Sequence, residues 1–455
     1  MALAAMLQED GFGAEPTEQV LKPKARSVIW LFMAGGVSHM ESFDIKPALN
    51  RFNGKTFDET PFKDLLDKER REKNLRGQGM TVPPRKNLMG LNTGYRRYGE
   101  CGLEVGDWFS NIGECADDLA IVRSLWTVHP NHGMQLTWHT GQHVRDGAQP
   151  TIGSWVSYGL GSLNDQLPKF LVMGNSIGGC CGGEFGHGAS YLGPRHAGVK
   201  LSSDPQQPLK FVKRFGDKVS NEEQQSELEL IQKLNRLSAN SSDDPQLEAR
   251  IRSYELAAGM QVAVPELMRM GDETADTQKM YGLDQKHSRE FGTQCLAARR
   301  MVERGVRFVQ IYHGAGSAGK WDAHNNIKKR YDEQAPMVDK PIAGLLKDLK
   351  QRGLLDSTIL VFGTEFGRTP GAQDNGRDHH PQGFSCWLAG GGIKGGVTHG
   401  ATDELGFYAV ENPHYVTDIH ATVLHQLGLD SRRLEIPGRK RIDMHRGSPI
   451  HEVIA

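Results

Sequence analysis

The chain has 455 residues, and its 54 lysines and arginines nearly balance its 55 aspartates and glutamates, which gives a formal net charge of -1. This balance provides no bulk attraction for nucleic acid or for an anionic membrane surface, so neither is expected as a partner. The longest apolar run, residues 28–37, is too short to span a bilayer. One large α/β domain with insertions accommodates a chain of this length.

The six cysteines have no C-x-x-C spacing, so they indicate neither a structural zinc knuckle nor a disulfide framework. They therefore leave the cellular compartment open. Residues 1–26 form an N-terminal tail whose opening MALAAML is like the end of a signal region that lacks its basic start. A short N-terminal helix is the alternative, and the sequence favours neither.

Apolar, β-branched segments predict strands along the whole chain. These segments are residues 27–33, 119–125, 169–173, 305–312, 358–362 and 384–388. Helices are predicted from near Asn131 towards Thr140, at about 332–352 and at 417–427. The order of elements indicates an open α/β sheet with right-handed crossovers.

Two segments interrupt this pattern. Residues 51–100 are charged and punctuated by glycine and proline, which predicts a surface insertion. Residues 221–304 carry helix-forming residues at helical spacing, which predicts a helical insertion of two or three helices. We expect this second insertion to act as a lid, because such elements commonly gate a site.

The segment from Thr358 to Pro381, TILVFGTEFGRTPGAQDNGRDHHP, carries the strongest indication of a functional site. Its apolar start predicts a buried strand that delivers Glu365 at its carboxyl end, where ligands bind in open α/β sheets. A polar loop is predicted next, with charged and imidazole side chains at Arg368, Arg377, Asp378, His379 and His380. Clusters of carboxylates and histidines favour a metal site, and a solvated loop with incidental histidines is the alternative.

Other predicted strand ends add further candidates. The residues concerned are Ser38, His39, Glu41 and Asp44 after the first strand, His129, His132 and His139 after the second, and Asp322 with His324 after the strand at 305–312. An aspartate and a histidine two residues apart in a loop can both turn towards one ion. The predicted helix start places His132 where backbone N–H groups favour anions, whereas His139 is interpreted as a packed or surface histidine.

Several motifs together resemble one known family. They are LFMAGGVSHMESFDIKP at 31–47, the segment from Leu119 to Gly141, CLAARRMVERGVRFVQIYH at 295–313, WDAH at 321–324, TEFGRTP at 364–370, NGRDHHP at 375–381 and LAGGGIKGG at 388–396. They closely resemble exported bacterial proteins of the domain-of-unknown-function 1501 family over nearly the whole chain. TEFGRTP and GRDH are the most specific part of this resemblance.

The resemblance implies an alkaline phosphatase-like fold, as in sulfatases and cofactor-independent phosphoglycerate mutases. This fold is a three-layer α/β/α sandwich around a mainly parallel sheet, here expected as one domain from 27 to 455 that carries the insertions at 51–100 and about 221–304. The resemblance also implies export to the periplasm through a twin-arginine signal. The N-terminal residues contain no twin-arginine pair.

By resemblance, Glu365 takes the place of the superfamily's strand-end metal aspartate, and Phe366 stands where a metal histidine is expected. Asp322 and His324 look like its Asp–His pair at a shorter spacing, and His379 or His380 like its last metal histidine. No aspartate ends the first strand, so Asp44 or Glu41 is the displaced substitute. The candidate ligands for a divalent ion (Zn, Mn, Ca or Mg) are therefore Asp322, His324, Glu365, Asp378, His379, His380, Asp44 and His39.

The superfamily keeps its nucleophile at a helix start about ten residues before a Thr-Gly pair. Counting back from Thr140 and Gly141 gives Asn131 or His132, and neither is a serine, threonine or cysteine. Two functions follow from these observations. The first is a metal-dependent hydrolase of small phosphate or sulfate esters, sulfated glycans included. The second is a non-catalytic exported protein that binds a metal or another ligand through a partial site on the same fold.

The candidate catalytic residues serve the first function. Arg368 or Arg377 is expected to neutralise the anionic ester, and His132 to act as a metal ligand, general base or nucleophile. The density of His, Asp and Glu at strand ends favours the hydrolase. The missing nucleophile and Phe366 favour the binding protein. The sequence makes no prediction of the oligomeric state.

Overall fold

A computed structural model describes residues 21–67, 84–164, 166–202, 263–434, 436 and 446–455, with scattered positions between 223 and 260. In chain order, the strands are β1 Ser27–Met33, β2 Tyr95–Tyr98, β3 Leu103–Gly106, β4 Leu119–Trp126, β5 Phe170–Met173, β6 Val199–Lys200, β7 Phe308–His313, β8 Thr358–Gly363, β9 Gly367–Gln373, β10 Gly376–His380, β11 Phe384–Ala389, β12 Val397–His399, β13 Ala401–Thr402, β14 Ala409–Glu411 and β15 His414–Tyr415. The α-helices are α1 Ala48–Arg51, α2 Ser110–Gly113, α3 Met134–Thr140, α4 Ile152–Leu160, α5 Ala275–Met280, α6 Arg289–Glu303, α7 Ile327–Gln351 and α8 Val416–Gln426.

Nine strands of the described residues form one central sheet in the order β12-β4-β11-β8-β1-β7-β5-β6, with β15 also paired to β4. Strand β11 is antiparallel to both of its neighbours, β4 and β8, and the other pairings in this sheet are parallel. Strands β1, β4, β7 and β8 therefore run in the same direction, and their carboxyl ends meet at one edge. The predicted mainly parallel sheet is confirmed.

Helices cover both faces of this sheet, as the residues of β1 show. Ile29 and Leu31 belong to a buried apolar cluster shared with α6 and α7. Trp30 and Phe32 point to the opposite face, into a second cluster shared with α4 and α8. Because side chains alternate along a strand, one continuous apolar run contributes to the apolar clusters on both faces of the sheet. This arrangement is the expected three-layer sandwich. Within the described residues, no helix has the length and apolar character needed to cross a membrane.

Two helix starts differ from the sequence prediction. Helix α7 begins earlier than predicted, at Ile327. Helix α3 begins later, at Met134, because Asn131 forms a turn in which its side-chain oxygen accepts a hydrogen bond from the Gly133 N–H at 3.0 Å. His132 consequently lies before the helix, and the prediction that it occupies a helix N-terminus is wrong.

The segment after Glu365 is a β-hairpin and not the predicted polar loop. Strands β9 and β10 pair in antiparallel register, with an irregularity between Arg377 and His379. Asp374 turns the chain between them with a φ of 51°. Glycine, proline and charge predicted a polar loop, but the hairpin buries the side chains of Arg368 and Arg377 completely. The buried hydrogen bonds of these arginines therefore stabilise a hairpin where the local composition predicts a loop.

The two predicted insertions are only partly described. Apolar side chains from the first, among them Phe52, Phe57 and Leu88, form a small cluster with Leu405 and Phe407. Residues 68–83 of that insertion lie outside the described residues, as does most of the helical insertion before 263. Helix α6, at the C-terminal end of the range 221–304, packs in the same apolar cluster as β1 and β7. The lid role of this insertion stays a prediction.

Candidate metal centre

Three side chains from separate parts of the chain meet at the carboxyl edge of the sheet. His132 follows β4, Asp322 follows β7, and His379 lies in β10. One potential ligand atom from each lies within 4.8 Å of the other two, and no second group of three such residues is found in the part of the chain that the structure describes. All three are among the candidates from the sequence, Asp322 and His379 as metal ligands and His132 as a ligand, general base or nucleophile.

The Nδ1 atom of each imidazole at this centre faces a hydrogen-bond acceptor. His132 Nδ1 lies 2.9 Å from Glu365 Oε1, and His379 Nδ1 lies 2.6 Å from the Pro130 carbonyl oxygen. His324, beside them, pairs its Nδ1 with the side-chain oxygen of Gln373. Because carboxylate, carbonyl and amide oxygens only accept, these contacts place a ring proton on Nδ1, so Nε2 carries a lone pair whenever the ring is neutral.

The Nε2 atoms of these three rings turn towards the carboxylate of Asp322. His379 Nε2 lies 3.0 Å and His324 Nε2 lies 3.1 Å from Asp322 Oδ1, and His132 Nε2 lies 3.5 Å from Oδ2. The Nε2 atoms of His324 and His379 are 2.9 Å apart. Lone pairs that face each other and a carboxylate repel unless a proton or a metal cation lies between them. The donor set of imidazole nitrogens and a carboxylate oxygen therefore fits a divalent transition metal ion.

Arg368 holds Asp322 in place. Its Nη2 donates to Asp322 Oδ1 at 2.8 Å, its Nε donates to the Gly36 carbonyl at 2.8 Å, and its Nη1 donates to the Arg377 carbonyl at 3.0 Å. The Gly35 carbonyl accepts a further hydrogen bond from Nη2. The arginine is fully buried, so it orients the carboxylate and does not face solvent.

The ring and carboxylate pKa values reflect this concentration of charge. Burial opposes protonation of His132, but hydrogen bonds to Asp322 and Glu365 outweigh it and raise the pKa of His132 to about 9. Burial lowers the pKa of His379 to about 4, against the hydrogen bond to Asp322. Burial also opposes ionisation of Asp322, yet its three histidine contacts hold its pKa well below the usual range. A metal ion would therefore replace the proton on His132.

Residues 25–454, nearly the whole chain, match the family described as Protein of unknown function (DUF1501). The chain belongs to this family. The match confirms the family that the sequence motifs resemble. No protein of curated function matches the sequence.

Three solved structures are similar to the DUF1501 protein at low sequence identity. The lipoteichoic acid synthase LtaP from Listeria monocytogenes aligns with 98% of this chain and 82% of its own, at 10% identity and a TM-score of 0.41. A sulfatase from Pseudoalteromonas sp. aligns with 100% and 74%, at 12% identity and 0.38. A phosphonate monoester hydrolase from Silicibacter pomeroyi aligns with 76% and 71%, at 14% identity and 0.39. Likenesses at this level transfer neither activity nor substrate.

In the DUF1501 protein, Glu365 stands behind His132 and not among the converging Nε2 atoms. Both of its carboxylate oxygens accept from the Gly35 N–H, at 2.9 and 3.0 Å, and the Thr364 hydroxyl donates to it at 3.0 Å. The sequence predicted Glu365 as a direct metal ligand. The structure instead gives it the position of a carboxylate that orients a ligating imidazole.

We expect the Glu365→Gln variant to bind a divalent metal ion about 10- to 100-fold more weakly than the unmodified protein. The Gly35 N–H contacts both carboxylate oxygens, so in either orientation the amide places an NH2 donor against this backbone donor. The side chain must shift, and the His132 ring then loses its fixed orientation. Isothermal titration with Zn²⁺ measures the change. Glu59→Gln, at an exposed acid far along the chain, is the matched control, and equal affinity in the two variants would contradict the orienting role.

Asp378 lies beside the centre at the hairpin. Its Oδ2 accepts from Arg85 Nε at 2.8 Å, and its Oδ1 accepts from the His379 N–H at 2.8 Å. The same Oδ1 is 3.6 Å from His324 Nδ1. Asp378 therefore lies near the Nδ1 edge of His324, on the side remote from Asp322, and the structure does not bring it among the converging Nε2 atoms.

His380, His39 and Asp44 lie apart from Asp322, contrary to their prediction as metal ligands. His380 contacts the Phe407 carbonyl through Nε2 and stacks on the Phe407 ring at 4.4 Å. His39 Nε2 lies 2.8 Å from the Gly406 carbonyl, and Asp44 pairs with Lys46 at 2.9 Å. Consecutive residues of a strand face opposite sides, so His380 must point away when its neighbour in β10 points to the centre.

Arg377 has no donor left for a substrate. Its Nε and Nη2 donate to Glu41 Oε1 at 2.9 and 2.6 Å. Its remaining hydrogen bonds go to the carbonyl oxygens of Thr369, Pro370, Met89 and Gly90. The guanidinium is fully buried, so its predicted role as an anion-binding group does not fit the structure.

The roles of three residues at the centre were not predicted from the sequence. Gln373 and the Pro130 carbonyl fix two rings, and neither residue type signals such a role in a sequence. Phe366 packs its ring 4.4 Å from that of His379 and 5.3 Å from that of His132. The aromatic residue in place of an expected metal ligand therefore forms an apolar wall of the centre.

Proposed function

We propose that this DUF1501 protein is a metal-dependent hydrolase of phosphate or sulfate esters, with a small anionic ester or a sulfated glycan as its substrate. The observation that carries the proposal is the set of three imidazoles with engaged Nδ1 atoms whose Nε2 atoms converge on Asp322. Hydrogen bonds that fix the unused ring nitrogen are typical of metal-binding histidines. Export is part of the proposal through the family resemblance alone.

His132, Asp322 and His379 would hold the ion, and His324 adjoins them. When bound, a divalent ion supplies Lewis acidity, which polarises an ester oxygen and lowers the pKa of a water molecule. Glu365 and the Pro130 carbonyl keep two of the rings oriented. Phe366 excludes water from one side of the centre, which strengthens the electrostatic interactions inside it.

Water is the nucleophile that we propose. In the described part of the chain, the side-chain contacts of His132, Asp322 and His379 include no serine, threonine or cysteine. The nearby Thr364 hydroxyl donates to the Met33 carbonyl at 2.8 Å and to Glu365, so it is held away from the converging Nε2 atoms. Direct attack by water therefore agrees better with the geometry than a covalent intermediate does.

Arg85 is the cation that we propose for the substrate anion. Arg368 and Arg377 are buried and bonded to protein acceptors, whereas the Arg85 side chain is 40% exposed. It binds Asp378, whose other oxygen lies 3.6 Å from His324. A guanidinium in this position lies next to the metal centre and is open to an ester oxyanion.

A substrate panel tests the hydrolase proposal. We expect the protein loaded with Zn²⁺ or Mn²⁺ to turn over at least one of an aryl phosphate, an aryl phosphodiester and an aryl sulfate. A chelator should remove this activity, and the ion should restore it. His129→Ala, which alters a histidine of the same segment outside the centre, should keep the activity, and His379→Ala should lose it.

The second candidate is a non-catalytic metal-binding protein. Two observations favour it: protein acceptors take up all donors of Arg377, and no side-chain nucleophile among the described residues contacts the centre. The same panel separates the two functions. Full metal content without turnover of any ester would contradict the hydrolase and support the binding protein.

A further inference from the structure

A second pair of histidines meets at the edge of the sheet, away from Asp322. His399 ends β12 and His414 begins β15, and both strands pair in parallel with β4. The Nε2 atoms of the two rings are 2.9 Å apart. The two short strands thus bring together imidazoles that lie 15 residues apart in the chain.

Acidic groups surround this pair on two sides. Asp418, at the start of α8, places its Oδ2 2.8 Å from His414 Nδ1. A carboxylate accepts at Nδ1, so the neutral His414 ring presents a lone pair at Nε2. Glu452, near the C-terminus, places its Oε2 4.0 Å from His399 Nε2, and its side chain is 64% exposed and free to turn.

We propose that His399 and His414, joined by Glu452 once its exposed side chain turns towards them, bind a zinc ion at a site separate from the Asp322 centre. Two imidazole nitrogens and one carboxylate oxygen match the ligands of a four-coordinate zinc site whose last position is taken by water. Zinc–nitrogen bonds of about 2.0–2.1 Å need the two rings to separate by a few tenths of an ångström. Direct hydrogen bonding between the two Nε2 atoms is the alternative that the experiment below distinguishes.

The ion would fasten the C-terminal segment to the sheet. That segment already contacts this edge, because the Ser448 N–H donates to Asp418 Oδ1 at 2.8 Å and Ile454 pairs with Ile393. Zinc shared by Glu452 and the two strand histidines would join β12, β15 and residues 448–454. The site therefore has a structural role, independent of ester hydrolysis.

The experiment uses the full chain with the Asp322 centre disabled by the His324→Ala/His379→Ala double variant. We expect this protein to bind one Zn²⁺ per chain in isothermal titration, and to lose it when His414→Ala is added. Zn²⁺ should also slow hydrogen exchange in residues 448–454. His425→Ala is the matched control, since His425 lies on α8, the helix that follows β15, and its ring packs against His451; this variant should keep the ion.

Glu452→Gln provides a second test that does not depend on a core residue. Its side chain is exposed, so the substitution should leave the fold intact. We expect it to weaken Zn²⁺ binding about ten-fold or more. The proposal is overturned if the double variant binds no Zn²⁺. It is equally overturned if His414→Ala and Glu452→Gln leave the Zn²⁺ affinity of the double variant unchanged, which is the result that a direct imidazole–imidazole hydrogen bond gives.

Discussion

His132→Ala is expected to abolish metal-dependent ester hydrolysis while the protein stays folded. The side chain lies between Glu365 and Asp322, so its removal takes away either a metal ligand or the group that moves the proton of the attacking water. Loss of a general base alone costs on the order of a hundred- to ten-thousand-fold in rate. Loss of a ligand also lowers the metal content, so elemental analysis beside the kinetics separates the two roles.

His129→Ala is the matched control for this variant. His129 lies in the same segment, and its ring packs against His143, outside the centre. We expect its rate and metal content to equal those of the unmodified protein. A folded His132→Ala protein with full activity and full metal content would remove His132 from the mechanism.

Glu41→Leu is expected to lower the free energy of unfolding by about 3–5 kcal/mol, the usual cost of leaving a buried charge without its partner. Glu41 and Arg377 are both fully buried and bonded to each other. Burial opposes ionisation of Glu41, but Arg377 outweighs it and lowers the pKa of Glu41 below 4.5. The stabilisation is therefore present above pH 4.5 and is lost as the pH falls through the lower, folded-state pKa.

Urea denaturation at neutral pH measures this effect. Lys347→Ala is the control, because Lys347 forms an ion pair of 2.6 Å with Glu114 that is exposed on both sides, and such pairs contribute about 0–1 kcal/mol. A Glu41→Leu protein that is as stable as Lys347→Ala would show that Arg377 does not need its carboxylate partner.

The sequence predicted the sheet well because its strands are apolar on both faces. A continuous run such as residues 27–33 leaves no polar face for solvent, so it must be a buried strand of a covered sheet. The rule that ligands bind at carboxyl strand ends then placed Asp322 and Glu365 at one edge. That rule uses only chain direction, which explains why it works before any tertiary contact is known.

The hairpin after Glu365 could not be predicted from the sequence. A segment rich in glycine and charge predicts a loop, and in a loop His379 and His380 are equivalent candidates. The strand alternation of β10 separates them, and only the structure reveals that strand. Arg377 is a similar case, because its partner Glu41 lies 336 residues away and composition alone cannot signal its burial.

Elemental analysis after reconstitution with Zn²⁺ tests the central claim most directly. The unmodified protein and the His324→Ala/His379→Ala double variant are loaded, freed of loose ion and measured together. Because these imidazoles converge on Asp322, we expect the double variant to contain one equivalent of zinc per chain less than the unmodified protein. Equal metal content in the two folded proteins would contradict the assignment of this centre as a metal site.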